Sequence, residues 1–239
     1  PWEDWRWSLP RRIADGVMMN RPIVLGDGTW ALPVSVWNLT GLGNGAGAPP
    51  DAGAKMVVSE DGGKTFAVRG LATVPAQLAS FDEHTIAERR AGSLWMLIRG
   101  CRSVLTSVSG DGGRTWSPVR DAAIPGPSSR LTLLRLQSGA LLLVYHDTAT
   151  GARERLAAFL SEDDGKTFPY RLLLDERAEV SYPDAQQAAD GTIFIVHDRV
   201  RYRGGEIVVS RIREEDIRAG KLIVPDSRLK LLAGRGNPV

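Results

Sequence analysis

A chain of 239 residues, 43% hydrophobic and 24% charged, has the make-up of an ordinary globular protein, long enough for one large all-β domain or two small ones. The net charge is +2, and Lys and Arg are spread along the chain instead of gathered in a tract, which argues against nucleic acid as the main partner while leaving room for a local basic pocket. The single cysteine, Cys101, excludes an internal disulfide and, beside an apolar run, reads as a packed thiol; no Cys/His spacing suggests a metal, nothing calls for a cofactor, and no apolar run reaches membrane-spanning length.

Residues 1–16 are rich in Trp and Arg (Trp2, Trp5, Trp7, Arg6, Arg11, Arg12) and read as the end of an earlier repeat or an entry loop. From residue 17 a pattern sets in. Four times a glycine opens a run of strand-forming residues: Gly28 before Trp30-Ala31-Leu32, Gly92 before Leu94-Trp95-Met96-Leu97-Ile98, Gly139 before Leu141-Leu142-Leu143-Val144-Tyr145, and Gly191 before Ile193-Phe194-Ile195-Val196. A shorter apolar segment precedes each run (Pro22-Ile23-Val24-Leu25, Thr85-Ile86-Ala87, Leu131-Thr132-Leu133-Leu134, Ala185-Gln186-Gln187-Ala188), and a third strand follows it. Short strands at regular spacing with glycine turns predict an all-β fold. The Gly- and Pro-rich stretch 38–54 interrupts the first unit as a long loop, either a binding loop or a surface excursion. A helical turn is expected only at Glu214-Glu215-Asp216-Ile217-Arg218-Ala219, before Gly220.

Three of the third strands run into one motif, Ser-x-Asp-x-Gly-x-Thr-aromatic, at residues 59–66, 109–116 and 161–168, with starts 50 and 52 residues apart. Its chemistry is that of a hairpin turn: the Asp accepts backbone N–H groups, the Gly takes positive φ, and Ser and Thr add short polar bonds. Asp61, Asp111 and Asp163 are therefore expected to form turns and not to bind calcium or act as acids. Units of about four strands and roughly 45–50 residues are propeller-blade size. The units fall at about 17–75, 76–124, 125–178 and 179–235, within a single domain spanning residues 1–239.

The motif resembles the Asp-box, or BNR repeat, of the sialidase (neuraminidase) superfamily, and the resemblance covers most of residues 17–215. It implies a β-propeller of the sialidase type with the Asp-boxes on the rim. Family propellers have six blades and about four are represented here, so we expect a fragment lacking the first blades; the start at Pro1 without an initiator Met and in mid-blade fits that expectation. The resemblance also implies a secreted or periplasmic protein, with no signal peptide visible in this segment.

Sialidases hold the carboxylate of sialic acid with three arginines, whose planar fork suits bidentate binding, and attack with a tyrosine activated by a glutamate. A neutral phenol suits an anomeric carbon that bears a carboxylate, because an anionic nucleophile would be repelled. Residues 83–88 followed by 94–99 resemble the segment that carries the activating Glu and the second Arg, matching Glu83 and Arg99; an antiparallel pair joined by the 89–92 turn brings their far ends together. Arg153 matches the third Arg, with Arg155 a near miss by alternation. Ser181-Tyr182-Pro183-Asp184 resembles the nucleophile strand, with Tyr182 as nucleophile, and Asp198 falls where the family has a Glu that braces the first Arg. Pro183 and His197-Asp198 depart from the family pattern, and the Arg-Ile-Pro segment and acid/base Asp of the first blade are absent. His84, Arg130 and Arg21 are further candidates for lining the pocket or binding an anion. Trp30, Trp95 and Trp116 read as packing, and Trp37 as the better sugar platform.

The leading expectation is a glycoside hydrolase resembling an exo-α-sialidase, cleaving a terminal acidic sugar from a glycan. The alternatives are a non-catalytic glycan-binding propeller, or a polysaccharide lyase on the same scaffold with His84 or Tyr182 abstracting a proton.

Overall fold

A computed structural model describes residues 6–37 and 52–236. Trp2, Trp5 and most of the long loop expected at 38–54 lie outside the described residues. The strands form four sheets, each of four antiparallel strands in chain order. The first sheet contains β1 (Ile23–Val24), β2 (Trp30–Val36), β3 (Gly53–Ser59) and β4 (Ala67–Ala72), and the second β5 (His84–Glu88), β6 (Leu94–Arg99), β7 (Val104–Ser109) and β8 (Arg120–Asp121). The third contains β9 (Thr132–Arg135), β10 (Leu141–His146), β11 (Glu154–Ser161) and β12 (Tyr170–Ala178). The fourth contains β13 (Val180–Gln187), β14 (Ile193–Arg199), β15 (Glu206–Ile212) and β16 (Arg228–Arg235). The first strands of the last three sheets adjoin, β9 lying between β5 and β13, and β5 meets β2 of the first sheet, which makes the sheets blades of a propeller.

One turn is used four times. Gly28, Gly92, Gly139 and Gly191 each donate to the carbonyl three residues back, of Leu25, Arg89, Leu136 and Ala188, at 2.8–2.9 Å. All four have φ between +78° and +87°, where a side chain would be strained. The turns link the first two strands of each blade, and strand alternation then sorts the side chains between neighbours. Leu141 and Leu143 of β10 pack with Ala87 and Trp95 of the second blade, while Leu142 and Val144 pack with Val180, Ile193 and Ile195 of the fourth. A Leu→Ala change at such a two-sided position costs roughly 2–5 kcal/mol. The fourth strands contribute unevenly to this core: β8 has two residues and Leu231 and Leu232 of β16 are exposed, whereas Leu172 and Leu174 of β12 are buried in it.

The three motif turns join the third and fourth strands of their blades, on the rim. The buried member of each is the serine, not the aspartate. Ser109 Oγ donates to Asp111 Oδ1 at 2.8 Å and accepts the Gly113 N–H at 2.8 Å, and Ser59 and Ser161 do the same in their turns. Asp111 takes the Thr115 hydroxyl at 2.6 Å and its N–H at 2.9 Å, bonds that hold the carboxyl below its usual range, with the Thr115 hydroxyl contributing most. Gly113 suits its place, with φ +91° and with Met56 Sδ of the first blade 2.3 Å from where a Cβ would lie.

The expected helical turn is α1 (Glu214–Ala219), ended by Gly220 at φ +66°, with Ile217 buried among the third and fourth blades. Cys101 departs from expectation. β6 ends at Arg99, and the following turn leaves the thiol partly exposed, its Sγ 3.4 Å from the Gln77 carbonyl. Of the packing tryptophans, Trp95 is buried and donates to Thr106 Oγ1 at 2.8 Å, whereas Trp30 stays partly exposed.

Candidate functional site

The motif turns occupy one end of the blades, and the other end carries the chemistry. Glu83 directly precedes β5 and Arg99 closes β6; the Arg99 N–H donates to the Glu83 carbonyl at 3.0 Å, so register places the two side chains together. Both are buried, and Arg99 Nη1 meets Glu83 Oε2 at 2.8 Å. Tyr182 arrives from the start of the fourth blade. Its hydroxyl donates to Glu83 Oε1 at 3.0 Å and accepts from Arg99 Nη1 at 3.0 Å. Ser128 ties in the third blade: its hydroxyl accepts from Arg99 Nε at 3.1 Å and its carbonyl from Arg153 Nη2 at 2.9 Å.

The backbone at Tyr182 is bent to this purpose. Tyr182 has φ +53°, a rare conformation for a bulky residue and one further disfavoured before a proline. The β13–β14 register shifts between Ser181 and Asp184, so Tyr182-Pro183 forms a bulge that re-aims the tyrosine. Arg130 pins the bulge from behind. Its guanidinium donates to the Pro183 and Met19 carbonyls and pairs with Asp184 at 3.3 Å.

Arginines surround the tyrosine ring. Arg153 lies 5.7 Å and Arg130 5.9 Å from its centroid. Burial depresses the Arg153 pKa most, and the like charges of Arg99 and Arg201 add to that effect. Closest of all, at 3.9 Å, is Arg201, which the sequence pattern does not single out. It pairs with Asp198 and donates to Ser181 Oγ at 3.1 Å, and Ser181 in turn donates to Asp198 at 2.7 Å. Burial, the largest single influence, would lower the Arg201 pKa, but Asp198 and Tyr182 together outweigh it and the net shift is upward. Its only sequence signal is an Arg three residues beyond Asp198 in the β14–β15 turn.

An aromatic wall flanks Arg99: Phe81 lies 4.6 Å beneath its guanidinium and Trp37 meets Phe81 edge-on at 5.1 Å. Outward from Ser128 and Arg153 opens a cavity of about 690 Å³ whose lining includes Arg102, Asp121, Pro125 and Thr150.

Several candidates stand elsewhere. His84 faces the opposite way from Glu83, as alternation requires; it is enclosed, with Nε2 2.8 Å from the Lys55 carbonyl and Nδ1 3.1 Å from Ser35 Oγ. Burial lowers its pKa to about 4, so it neither lines the pocket nor presents a base to it. Arg21 donates to the Ala185 carbonyl at 2.8 Å and has no contact with Tyr182 or Glu83. Arg130 touches the ring, but its Nη1 and Nη2 are taken up by the Met19 and Pro183 carbonyls and Asp184 and its Nε is buried, a brace in place of the expected anion binder. Arg155 turns out to Asp147, which leaves Arg153 as the arginine of that pair in the cluster. Among the described residues no group of three or more His, Cys, Asp or Glu is arranged to hold a metal ion.

Four-stranded blades in chain order, with the motif turns joining third and fourth strands, define a β-propeller of the sialidase type. The chain belongs to the BNR repeat-like domain family, which matches residues 3–195. An intramolecular trans-sialidase from Ruminococcus gnavus superposes with a TM-score of 0.64 at 18% identity, over 83% of this chain and 43% of that one. The NanB sialidase of Streptococcus pneumoniae gives 0.60 at 16% identity, over 74% and 27%. A protein of unknown function from Dyadobacter fermentans gives 0.57 at 18%, over 75% and 48%. The chain thus spans half or less of the length of these structures. No curated protein matches it.

Proposed function

We propose that this chain carries the nucleophile, its base and the anion-binding side of an exo-glycosidase acting on a terminal acidic sugar of a glycan, a sialoside being the leading substrate. The observation that supports it is the Tyr182 hydroxyl held between the Glu83 carboxylate and the Arg99 guanidinium, each at 3.0 Å. Glu83 takes the phenolic proton as the oxygen bonds to the anomeric carbon and the glycosidic C–O bond breaks, so the nucleophile approaches a carboxylate-bearing substrate as a neutral group. The aglycone leaves with the bonding pair and takes its proton from solvent or from a group outside the described cluster. Arg99 stabilises the developing phenolate and holds the Glu83 carboxylate in place. Arg153 has no carboxylate partner among the described residues and takes the substrate carboxylate, while the cavity beyond Ser128 receives the rest of the glycan. Such a protein works outside the cytoplasm, secreted or periplasmic; among the described residues no helix is long and apolar enough to cross a membrane.

One observation favours a second reading, glycan binding without turnover. The three carboxylates of the cluster, Glu83, Asp184 and Asp198, are each paired with an arginine, so none is set to protonate a leaving group. The enclosure of His84 leaves a lyase only Tyr182 as base. Incubation with an aryl α-sialoside separates the three. Release of the aryl alcohol with free sialic acid supports the hydrolase, an unsaturated sugar absorbing in the ultraviolet supports the lyase, and binding without either product supports the lectin-like reading.

A further inference from the structure

We infer that Arg201 is a further substrate-holding residue, which closes with Arg153 on a single carboxylate beside Tyr182. This rests on the reading of Tyr182 and Arg153 as an acidic-sugar site. Arg201 is the arginine nearest the Tyr182 ring, at 3.9 Å, and Arg153 approaches the same ring at 5.7 Å. Asp198 and Ser181 Oγ hold it in place, so little side-chain entropy remains to be lost on binding.

Charge points the same way. Four guanidinium groups, Arg99, Arg130, Arg153 and Arg201, hydrogen-bond to Tyr182 or face its ring. Three of them have carboxylate partners, Glu83, Asp184 and Asp198. Four positive against three negative charges leave one positive charge on the described cluster, which a single carboxylate neutralises. The charge of Arg201 also disfavours the charged form of Arg153, and an anion between them relieves that repulsion. The neutral methyl ester of the same sugar would not.

The test is calorimetric binding of N-acetylneuraminic acid and of its methyl ester to the protein and its variants. Wild type is expected to bind the acid and to discriminate against the ester. Arg201→Met is expected to weaken acid binding by roughly tenfold or more, the equivalent of one charge-assisted hydrogen bond. Arg203→Met, in an exposed residue paired with Glu179, is expected to change nothing. Arg201→Lys keeps the charge but loses the planar fork, and falls between; it decides the matter if the Met variant does not fold. The proposal is overturned if wild type does not bind the acid, if Arg201→Met and Arg201→Lys bind it as wild type does, or if both ligands weaken equally. Should the expected binding pattern appear without release of sugar from an aryl α-sialoside, the catalytic reading falls and the role of Arg201 stands.

Discussion

The Tyr182 hydroxyl donates a hydrogen bond to Glu83 Oε1 at 3.0 Å, although 99 positions separate the two residues in sequence. Only the meeting of the first strands of the blades brings them together, and only the bulge at Tyr182-Pro183 aims the ring. Tyr182→Phe removes the oxygen and leaves the ring, its arginine neighbours and the bulge. It is expected to lower turnover of an acidic glycoside by roughly three orders of magnitude or more while costing only roughly 1–3 kcal/mol of stability. Steady-state rates beside denaturant melts check this; turnover within tenfold of wild type would contradict it.

Arg99 and Arg153 are expected to respond differently to removal. The Arg99–Glu83 pair is buried on both sides, so Arg99→Ala strands a carboxylate and costs roughly 3–5 kcal/mol. Arg153 pairs with no carboxylate among the described residues, so Arg153→Met should leave the melting temperature nearly unchanged and weaken only the binding of acidic sugars. Paired melting and binding measurements on the two variants check the contrast, and equal loss of stability in both would refute it.

Ser109→Ala tests the motif turn. The buried hydroxyl serves both Asp111 and the Gly113 N–H, and its loss leaves a buried donor unsatisfied at a cost of roughly 1–3 kcal/mol. Chemical denaturation should register this with the binding site unaffected, because the turn stands at the opposite end of the blade from Arg99.

Much of this was legible in the sequence, and the limits have physical causes. Glycine turns and apolar runs marked the first three strands most clearly in the second and third blades, where those strands are largely buried on both faces, whereas β14 alternates buried and exposed residues. The fourth strands, such as β8 and the exposed β16, left no such pattern. Glu83, Arg99 and Tyr182 could be proposed from their motifs and their strand-end positions. His84 was misplaced because adjacency in sequence means opposite faces in a strand. Arg130 is spent on the Met19 and Pro183 carbonyls, contacts that no local pattern encodes. Arg201 was missed because it stands in a turn with no motif, and its meaning comes from a ring it reaches only in three dimensions.

Stability should rise with pH between about 4 and 6.5. Burial lowers the pKa values of His84 and His146 to about 4, so the native state binds fewer protons than the unfolded chain. Each contributes up to about 3 kcal/mol above pH 6.5, lost as pH falls through 4. Asp82 works against them: burial raises its pKa to about 6, so its contribution is lost as pH rises from about 4 to 6. Two histidines outweigh one aspartate. Urea midpoints at pH 4.5, 5.5 and 7 should therefore increase in that order, with a shallower slope in His84→Gln; a flat or falling series would exclude this assignment.

The central claim is that Tyr182 is the nucleophile of an acidic-sugar glycosidase, and trapping the glycosyl-enzyme tests it most directly. The protein is incubated with a fluorinated sialosyl fluoride, which slows breakdown of a covalent intermediate, and its mass is then measured intact and after proteolysis. The account predicts one sugar added per chain, located on the Tyr182 hydroxyl and absent from Tyr182→Phe. A wild-type protein that turns over an aryl α-sialoside yet carries the label on another residue, or carries none, would contradict it.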